Sequence, residues 1–226
     1  MSSTAYPATD NGRDIIYTLY WDRGGANMAT HALLEELSVD YQLIEIDLAR
    51  KMQRTPEYLA INPNGKVPTL LHNGDIIYES AAILLYLLDQ HPESDLSPPP
   101  TSPQRGRYYQ SLIWMSNTLQ EAANRWAHPE HYCDNKEGQA SLKIKASREL
   151  ERCWQVIESD LSNQGPWISG ETLSGADFHL FMIAYWSRLY ESRAQDYPMI
   201  QQLLKNLLKR KSIQAMLQQE SLSFTC

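Results

Sequence analysis

The feature that most constrains this chain is a cluster of five prolines, Pro92, Pro98, Pro99, Pro100 and Pro103, between residues 91 and 103. Locked φ angles and missing N–H groups at that density cannot continue a helix and favour extended backbone. The chain must therefore divide there, and the two sides carry different periodicities. Ahead of the prolines, residues 15–21 (IIYTLYW) form a β-branched and aromatic run that reads as a buried strand, broken by Asp22-Arg23-Gly24-Gly25. Residues 26–37 place Ala29, Ala32, Leu33, Glu36 and Leu37 at helical spacing, and Ile44, Ile46 and Leu48 then alternate with Glu45 and Asp47 as a half-exposed strand does. A polar stretch, 50–60, allows one short helical turn from Pro56, and Asn62-Pro63-Asn64-Gly65 forces a turn. Residues 67–72 (VPTLLH) and 75–78 (DIIY) flank Asn73-Gly74, a two-residue hairpin signal, and Ser80 can cap a helix whose Ile83, Leu84, Leu87 and Leu88 share one stripe. The order is β-α-β followed by β-β-α, with the first two strands parallel through a right-handed crossover.

Beyond the prolines no strand pair is evident. Residues 106–127, 138–161, 177–193 and 198–218 read as helices, the last with Ile200, Leu203, Leu204, Leu207 and Leu208 on one face. The helix from Asp177 is apolar nearly all round, which marks it as the buried centre of this half. Ser174 and Asp177 form a capping box at its start. The division expected is a tail over 1–12, an α/β domain over 13–90, a proline-rich linker over 91–104 and an all-α domain over 105–226.

With 226 residues, 42% of them hydrophobic, the chain can build proper cores. A net charge of −7 suits neither nucleic acid nor an anionic membrane surface. No run approaches the roughly 18 apolar residues of a bilayer span. Residues 1–14 lack the basic start and apolar stretch of a secretory signal. Cys133, Cys153 and Cys226 are few, odd in number and far apart, which fits a reducing compartment. A soluble cytoplasmic protein is expected. Six Trp and 13 Tyr suggest aromatic-lined pockets or interfaces.

Three segments lie in the right order at the right spacing: residues 62–70 (NPNGKVPTL), 78–83 (YESAAI) and 170–178 (GETLSGADF). Together with the β-α-β-β-β-α order and the all-helical half, they make nearly the whole chain resemble the cytosolic glutathione transferases. The resemblance is nearest to bacterial members and the beta class, and it implies a thioredoxin-like domain joined to an all-helical one. It implies a homodimer that binds glutathione as co-substrate without a metal, and detoxification by attack of the glutathione thiolate on a small hydrophobic electrophile. It also implies a cis bond before Pro68 that turns the Val67 backbone toward the ligand. The N-terminus at Ser80 would receive the γ-glutamyl carboxylate, Glu79 its ammonium, and Lys66 a carboxylate or carbonyl.

The thiol-activating position departs from the beta class, whose cysteine aligns with Ala26. Three donors then remain. Asn27 aligns with the serine that follows that cysteine, Tyr20 aligns with the catalytic tyrosine of other classes, and Arg23 can supply positive charge. As structural alternatives, Asn27 caps the helix, Tyr20 points into the core and Arg23 is solvated. The resemblance places an apolar electrophile pocket between the domains, with Trp21, Tyr108, Tyr109, Trp114 and Trp126 as candidate walls. Ser174 and Asp177 remain structural, and Lys209-Arg210-Lys211 reads as a solvated helix end. Two alternatives to a transferase stand: a non-catalytic binding or regulatory protein of the same fold, and a glutathione-dependent peroxidase.

Overall fold

A computed structural model describes residues 17–226. The expected tail, and the Ile15 and Ile16 start of the first strand, lie outside the described residues. Strands β1 (Tyr17–Trp21), β2 (Tyr41–Glu45), β3 (Thr69–His72) and β4 (Asp75–Tyr78) form one mixed sheet in the order β2-β1-β3-β4. Helix α1 (Met28–Leu37) connects the parallel pair β1 and β2, while β3 runs antiparallel to both β1 and β4. Short α2 (Pro56–Leu59) lies between β2 and β3, and α3 (Ser80–Gln90) follows β4. This is a thioredoxin-like domain. The helical domain comprises α4 (Gln104–Trp114), a π-helical turn (Met115–Gln120), α5 (Glu121–Ala127), α6 (Lys136–Gln164), α7 (Gly175–Ser187), α8 (Pro198–Leu208) and α9 (Lys211–Gln219).

Local chemistry accounts for most of these elements. Asn73 and Gly74 both hold positive φ, 51° and 90°, as a tight hairpin turn between twisted strands demands. The α3 stripe is buried throughout and faces the main core. Alternation along β1 separates two faces. Tyr17, Leu19 and Trp21 join the core shared with α1 and the helical domain, while Tyr20 turns to the opposite side among Ile46, Tyr58 and Val67. Helix α7 is buried on every side from Gly175 to Tyr185, and α1 is wedged between the sheet and the helical domain, touching both α7 and α9.

Three expectations need correction. The second strand starts at Tyr41 and stops at Glu45; Ile46 then donates to Trp21 O at 2.7 Å and Leu48 N–H reaches Asp22 Oδ1 at 3.3 Å. These bonds tie the chain to the end of β1 and take Ile46 and Leu48 out of any alternating ladder. The helix read over 177–193 ends at Ser187, whose hydroxyl donates to Ala184 O at 2.7 Å and accepts from Ala194 N at 2.9 Å. The helix read over 198–218 is two, because Arg210 leaves helical geometry (ψ 136°) to pair with Glu36 on α1, Nε to Oε2 at 3.0 Å. Arg210 is therefore an interdomain contact and not a solvated helix end. Burial raises the Glu36 carboxyl, but hydrogen bonds from Arg210 and Ser212 outweigh it and hold the group below its usual range.

Candidate functional site

The NPNGKVP segment is held from beneath. Asn62 Nδ2 donates to Lys66 O and to Thr69 Oγ1, both at 2.9 Å, and Tyr58 Oη donates to Lys66 O at 2.7 Å. Gly65 (φ 58°) has no room for a side chain, since a Cβ there would lie 2.7 Å from Gln53 O. The Val67–Pro68 bond is cis. The β1–β3 ladder begins at Thr69, so Val67 lies just beyond it with its backbone outside the pairing. The Lys66 side chain is exposed while its carbonyl is anchored. Asn62 and Tyr58 position this segment without having been singled out from sequence; the available signal was an Asn immediately ahead of Pro-Asn-Gly.

Glu79 sits at φ 74°, ψ 116°, in a region that a non-glycine residue occupies only under constraint. It is exposed, at the point where β4 gives way to α3. Ser80 does not cap α3 as expected: it is buried as the first residue of the helix, after Glu79 at the N-cap position, and its Oγ donates to Ala26 O at 2.7 Å. That bond joins the N-terminus of α3, with its unpaired N–H groups and positive dipole end, to the 22–27 loop. The loop also approaches Val67, because a Cβ on Gly25 would lie 3.6 Å from Val67 Cγ2.

Of the three candidate thiol donors, Asn27 and Tyr20 are buried and Arg23 is exposed. Asn27 is fully buried: Oδ1 accepts from Asp22 N at 3.0 Å and Nδ2 donates to Glu220 Oε1 at 2.9 Å. Tyr20, 2% exposed, stacks its ring 5.7 Å from that of Tyr58 on the sheet face away from the helical domain. Arg23 is exposed and donates to Ser221 O.

Glu220, at the end of α9, organises the loop. Its carboxylate accepts from Gly24 N at 2.9 Å, from Asn27 Nδ2, and pairs with His31 Nδ1 at 2.8 Å, all in a site where Glu220 is 1% exposed. From the other side Trp186 Nε1 donates to Gly24 O at 2.8 Å. Sequence reading missed both residues, since nothing local distinguishes an acid near the end of a polar helix.

The expected aromatic wall is not one surface. Tyr108 is fully buried, with its Oη 2.9 Å from where a Gly175 Cβ would stand, and desolvation pushes its phenol well above the ordinary range. The 22–27 loop meets Trp186 at the opposite end of α7, about 16 Å away at 1.5 Å per residue. Tyr108 therefore belongs to the core at the start of α7. Tyr109 is exposed beneath the Arg105 guanidinium, 4.7 Å from its ring, and Trp114 is half-buried against the main core. Trp21, 6.3 Å from the His31 ring, does lie by the loop, and Trp126 stacks 4.5 Å from Tyr190 just past the end of α7. An open surface cavity of about 430 Å³ is lined by Arg23 and Gly24 together with Tyr185, Arg188 and residues 221–223. Its lining is polar where an apolar one was expected. Among the described residues one group, exposed His128, Glu130 and His131, brings potential metal-ligand atoms within 4.8 Å of one another.

Ser174 and Asp177 stand where their structural reading puts them. Asp177 Oδ2 accepts from Ser174 N at 2.8 Å and from Ser174 Oγ at 3.0 Å, and its Oδ1 accepts from Ile168 N at 2.8 Å.

Two family sequence models match the chain, "Glutathione S-transferase, N-terminal domain" over residues 17–89 and "Glutathione S-transferase, C-terminal domain" over 121–220. The chain is 28% identical to glutathione S-transferase GstA of Escherichia coli O157:H7 over 206 residues, 90% of this chain and 98% of that one. It is 31% identical to the disulfide-bond oxidoreductase YfcG of E. coli K12 over 160 residues, 68% and 69% of the two chains. Among solved structures, a glutathione transferase homologue from Sulfitobacter with bound glutathione superposes with TM-score 0.84 at 27% identity, covering 92% of this chain and all of that one. A glutathione transferase from Methylococcus capsulatus superposes at 0.81 with 30% identity, covering 91% and 99%. Domain order, the anchored Val67-Pro68 segment, the Ser80 junction and these likenesses agree: the chain belongs to the glutathione S-transferase family.

Proposed function

We propose that the chain is a glutathione transferase that attacks small electrophiles with the thiolate of bound glutathione. The observation that carries this reading is the approach of two elements to the 22–27 loop, Val67 with its unpaired backbone and the N-terminus of α3 at Ser80, with the constrained Glu79 next to Ser80. Val67 pairs with the cysteinyl backbone as an added strand does. The N–H groups at Ser80 receive the γ-glutamyl carboxylate, Glu79 takes the ammonium, and Lys66 meets a carboxylate at the outer edge. Asn27, its amide already committed, acts as a positioning residue. The N–H groups of Ala26 and Asn27, ahead of α1, face the sulfur and stabilise its anion. In a substitution the C–S bond forms as the carbon–chlorine bond breaks, and chloride leaves with the electron pair.

The domain division follows the prolines, with 13–90 binding glutathione and 105–226 completing the electrophile site. Exposed Ile76 and Tyr78 on β4 and Tyr109 and Ile113 on α4 support a dimer whose interface covers them. Replacing Ile113 by Asp should then halve the mass seen by light scattering. Three free cysteines agree with a reducing cytoplasm. No cysteine lies in the 22–27 loop, and Cys153 is buried with its thiol pushed up to about 11, so thiol–disulfide or peroxidase chemistry at this site, which the 31% identity to a disulfide-bond oxidoreductase brings into view, would draw on the ligand's sulfur.

The test is glutathione binding by calorimetry together with turnover of 1-chloro-2,4-dinitrobenzene and of a hydroperoxide. Micromolar to millimolar binding, weakened about tenfold or more by Ser80→Ala, with turnover of the aryl chloride, is expected. Binding without turnover of either substrate would leave a non-catalytic binding protein; hydroperoxide turnover alone would make it a peroxidase.

A further inference from the structure

The cavity beside Gly24 carries two guanidinium groups and no carboxylate. Arg23 and Arg188 both line it, along with Tyr185, Leu222 and the 221 and 223 serines. Neither arginine has an ion-pair partner among the described residues. Of the acids nearest these arginines along the chain, Asp22 accepts from Leu48 N–H at 3.3 Å, Glu191 is exposed outside the lining, and Glu220 is turned inward onto Gly24 N–H, Asn27 and His31. In a chain of net charge −7, the lining of this cavity thus carries two cationic side chains and no acidic one.

Both arginines are held by backbone. The Arg188 guanidinium carbon lies 3.6 Å from the Tyr185 ring centroid, and its Nη1 donates to Tyr185 O at 2.6 Å. Arg23 donates one Nη2 bond to Ser221 O. A guanidinium carries five N–H donors in a planar fork, so each retains donors for a further acceptor. A cavity of about 430 Å³ suits a small aromatic molecule.

Resting on the transferase reading above, we propose that this cavity is an anion subsite, in which Arg188 and Arg23 bind the carboxylate of an electrophile that bears one, so that the preferred substrate class is anionic rather than neutral and hydrophobic. Guanidinium–carboxylate recognition can be bidentate and orients the ligand as well as binding it. Arg23 and Gly24 of this lining belong to the 22–27 loop whose Ala26 and Asn27 N–H groups are the proposed thiolate donors, which sets the subsite beside that loop.

The test compares carboxylate-bearing dinitro rings with neutral ones. Quenching of tryptophan fluorescence, with Trp186 beside the cavity, reads the affinities of unreactive 3,5-dinitrobenzoate and of 1,3-dinitrobenzene in the full-length protein. Initial rates with glutathione compare 4-chloro-3,5-dinitrobenzoate with 1-chloro-2,4-dinitrobenzene. The wild-type protein should bind the benzoate at least fivefold tighter than the neutral ring. Arg188→Gln, and independently Arg23→Gln, should reduce that ratio at least threefold, and raising NaCl from 0.05 to 0.5 M should reduce it in the wild type even where a variant fails to fold. A wild-type ratio below fivefold, or one that neither substitution nor salt lowers, overturns the proposal. Arginine-dependent benzoate binding without turnover of either chloride would uphold the subsite and sink the transferase reading instead.

Discussion

Glu220→Ala is expected to lower the unfolding free energy by about 3–5 kcal/mol, the usual consequence of removing one member of a buried charged, hydrogen-bonded set. The carboxylate is 1% exposed and serves Gly24 N–H, Asn27 Nδ2 and His31 at once. Its loss leaves at least two buried donors without an acceptor, each worth roughly 1–3 kcal/mol. The same change frees the 22–27 loop from α9, so glutathione affinity should fall about tenfold, equivalent to about 1.4 kcal/mol. Glu220→Gln keeps one of the two acceptor oxygens and should fall between wild type and Ala. Urea unfolding followed by tryptophan fluorescence, with calorimetric binding, measures both effects. A stability loss under 1 kcal/mol with unchanged affinity would mean that the loop holds itself.

Asp177→Ala should cost about as much, roughly 3 kcal/mol, by removing the acceptor for Ile168 N–H, Ser174 N–H and the Ser174 hydroxyl at the start of the central helix. The group also titrates. Burial raises its carboxyl from 3.8 to about 6, against the opposing pull of its hydrogen bonds. The folded state therefore takes up the proton before the unfolded chain does. The stability arising from this shift is fully present below about pH 4 and is lost as pH rises through about 6, amounting to about 3 kcal/mol at 1.36 kcal/mol per pH unit. Asp177→Asn cannot titrate, so the wild type should lose ground to it between pH 4 and 7 and hold a constant difference above. A parallel pair of stability curves across that range would refute the assignment.

What was legible in the sequence depended on short-range chemistry. Asn73-Gly74 announced the hairpin because both residues tolerate positive φ, and Ser174 with Asp177 announced a helix start because capping acts over three residues. The all-round apolar character of α7 marked the buried centre for a similar reason: a helix without a polar face has nowhere else to go. Failures share a cause of the opposite kind. Residues 198–218 have an unbroken apolar period, yet Arg210 breaks the helix to meet Glu36, a residue 174 positions away. Tyr108 and Trp21 were assigned to one pocket wall, yet α7 separates their surroundings, and only the packing of α4 along α7 reveals it.

The candidate site divides along the same line. The Asn62-to-Leu70 and Tyr78-to-Ile83 motifs were readable because the turn residues of the first and the strand-to-helix handover of the second are contiguous in sequence, and by themselves they determined the β-β-α edge and the family resemblance. The sequence also determined the two-part architecture, since five prolines forbid a helix across 91–103. Tertiary structure alone decided what surrounds the thiol. The packing of α9 and α7 on α1 brings Glu220 and Trp186 to Gly24, commits the Asn27 amide, and sets Arg23 and Arg188 on one cavity. Those contacts join residues more than 160 positions apart, whereas capping, turn chemistry and hydrophobic period act over a few residues, so no local pattern could encode them.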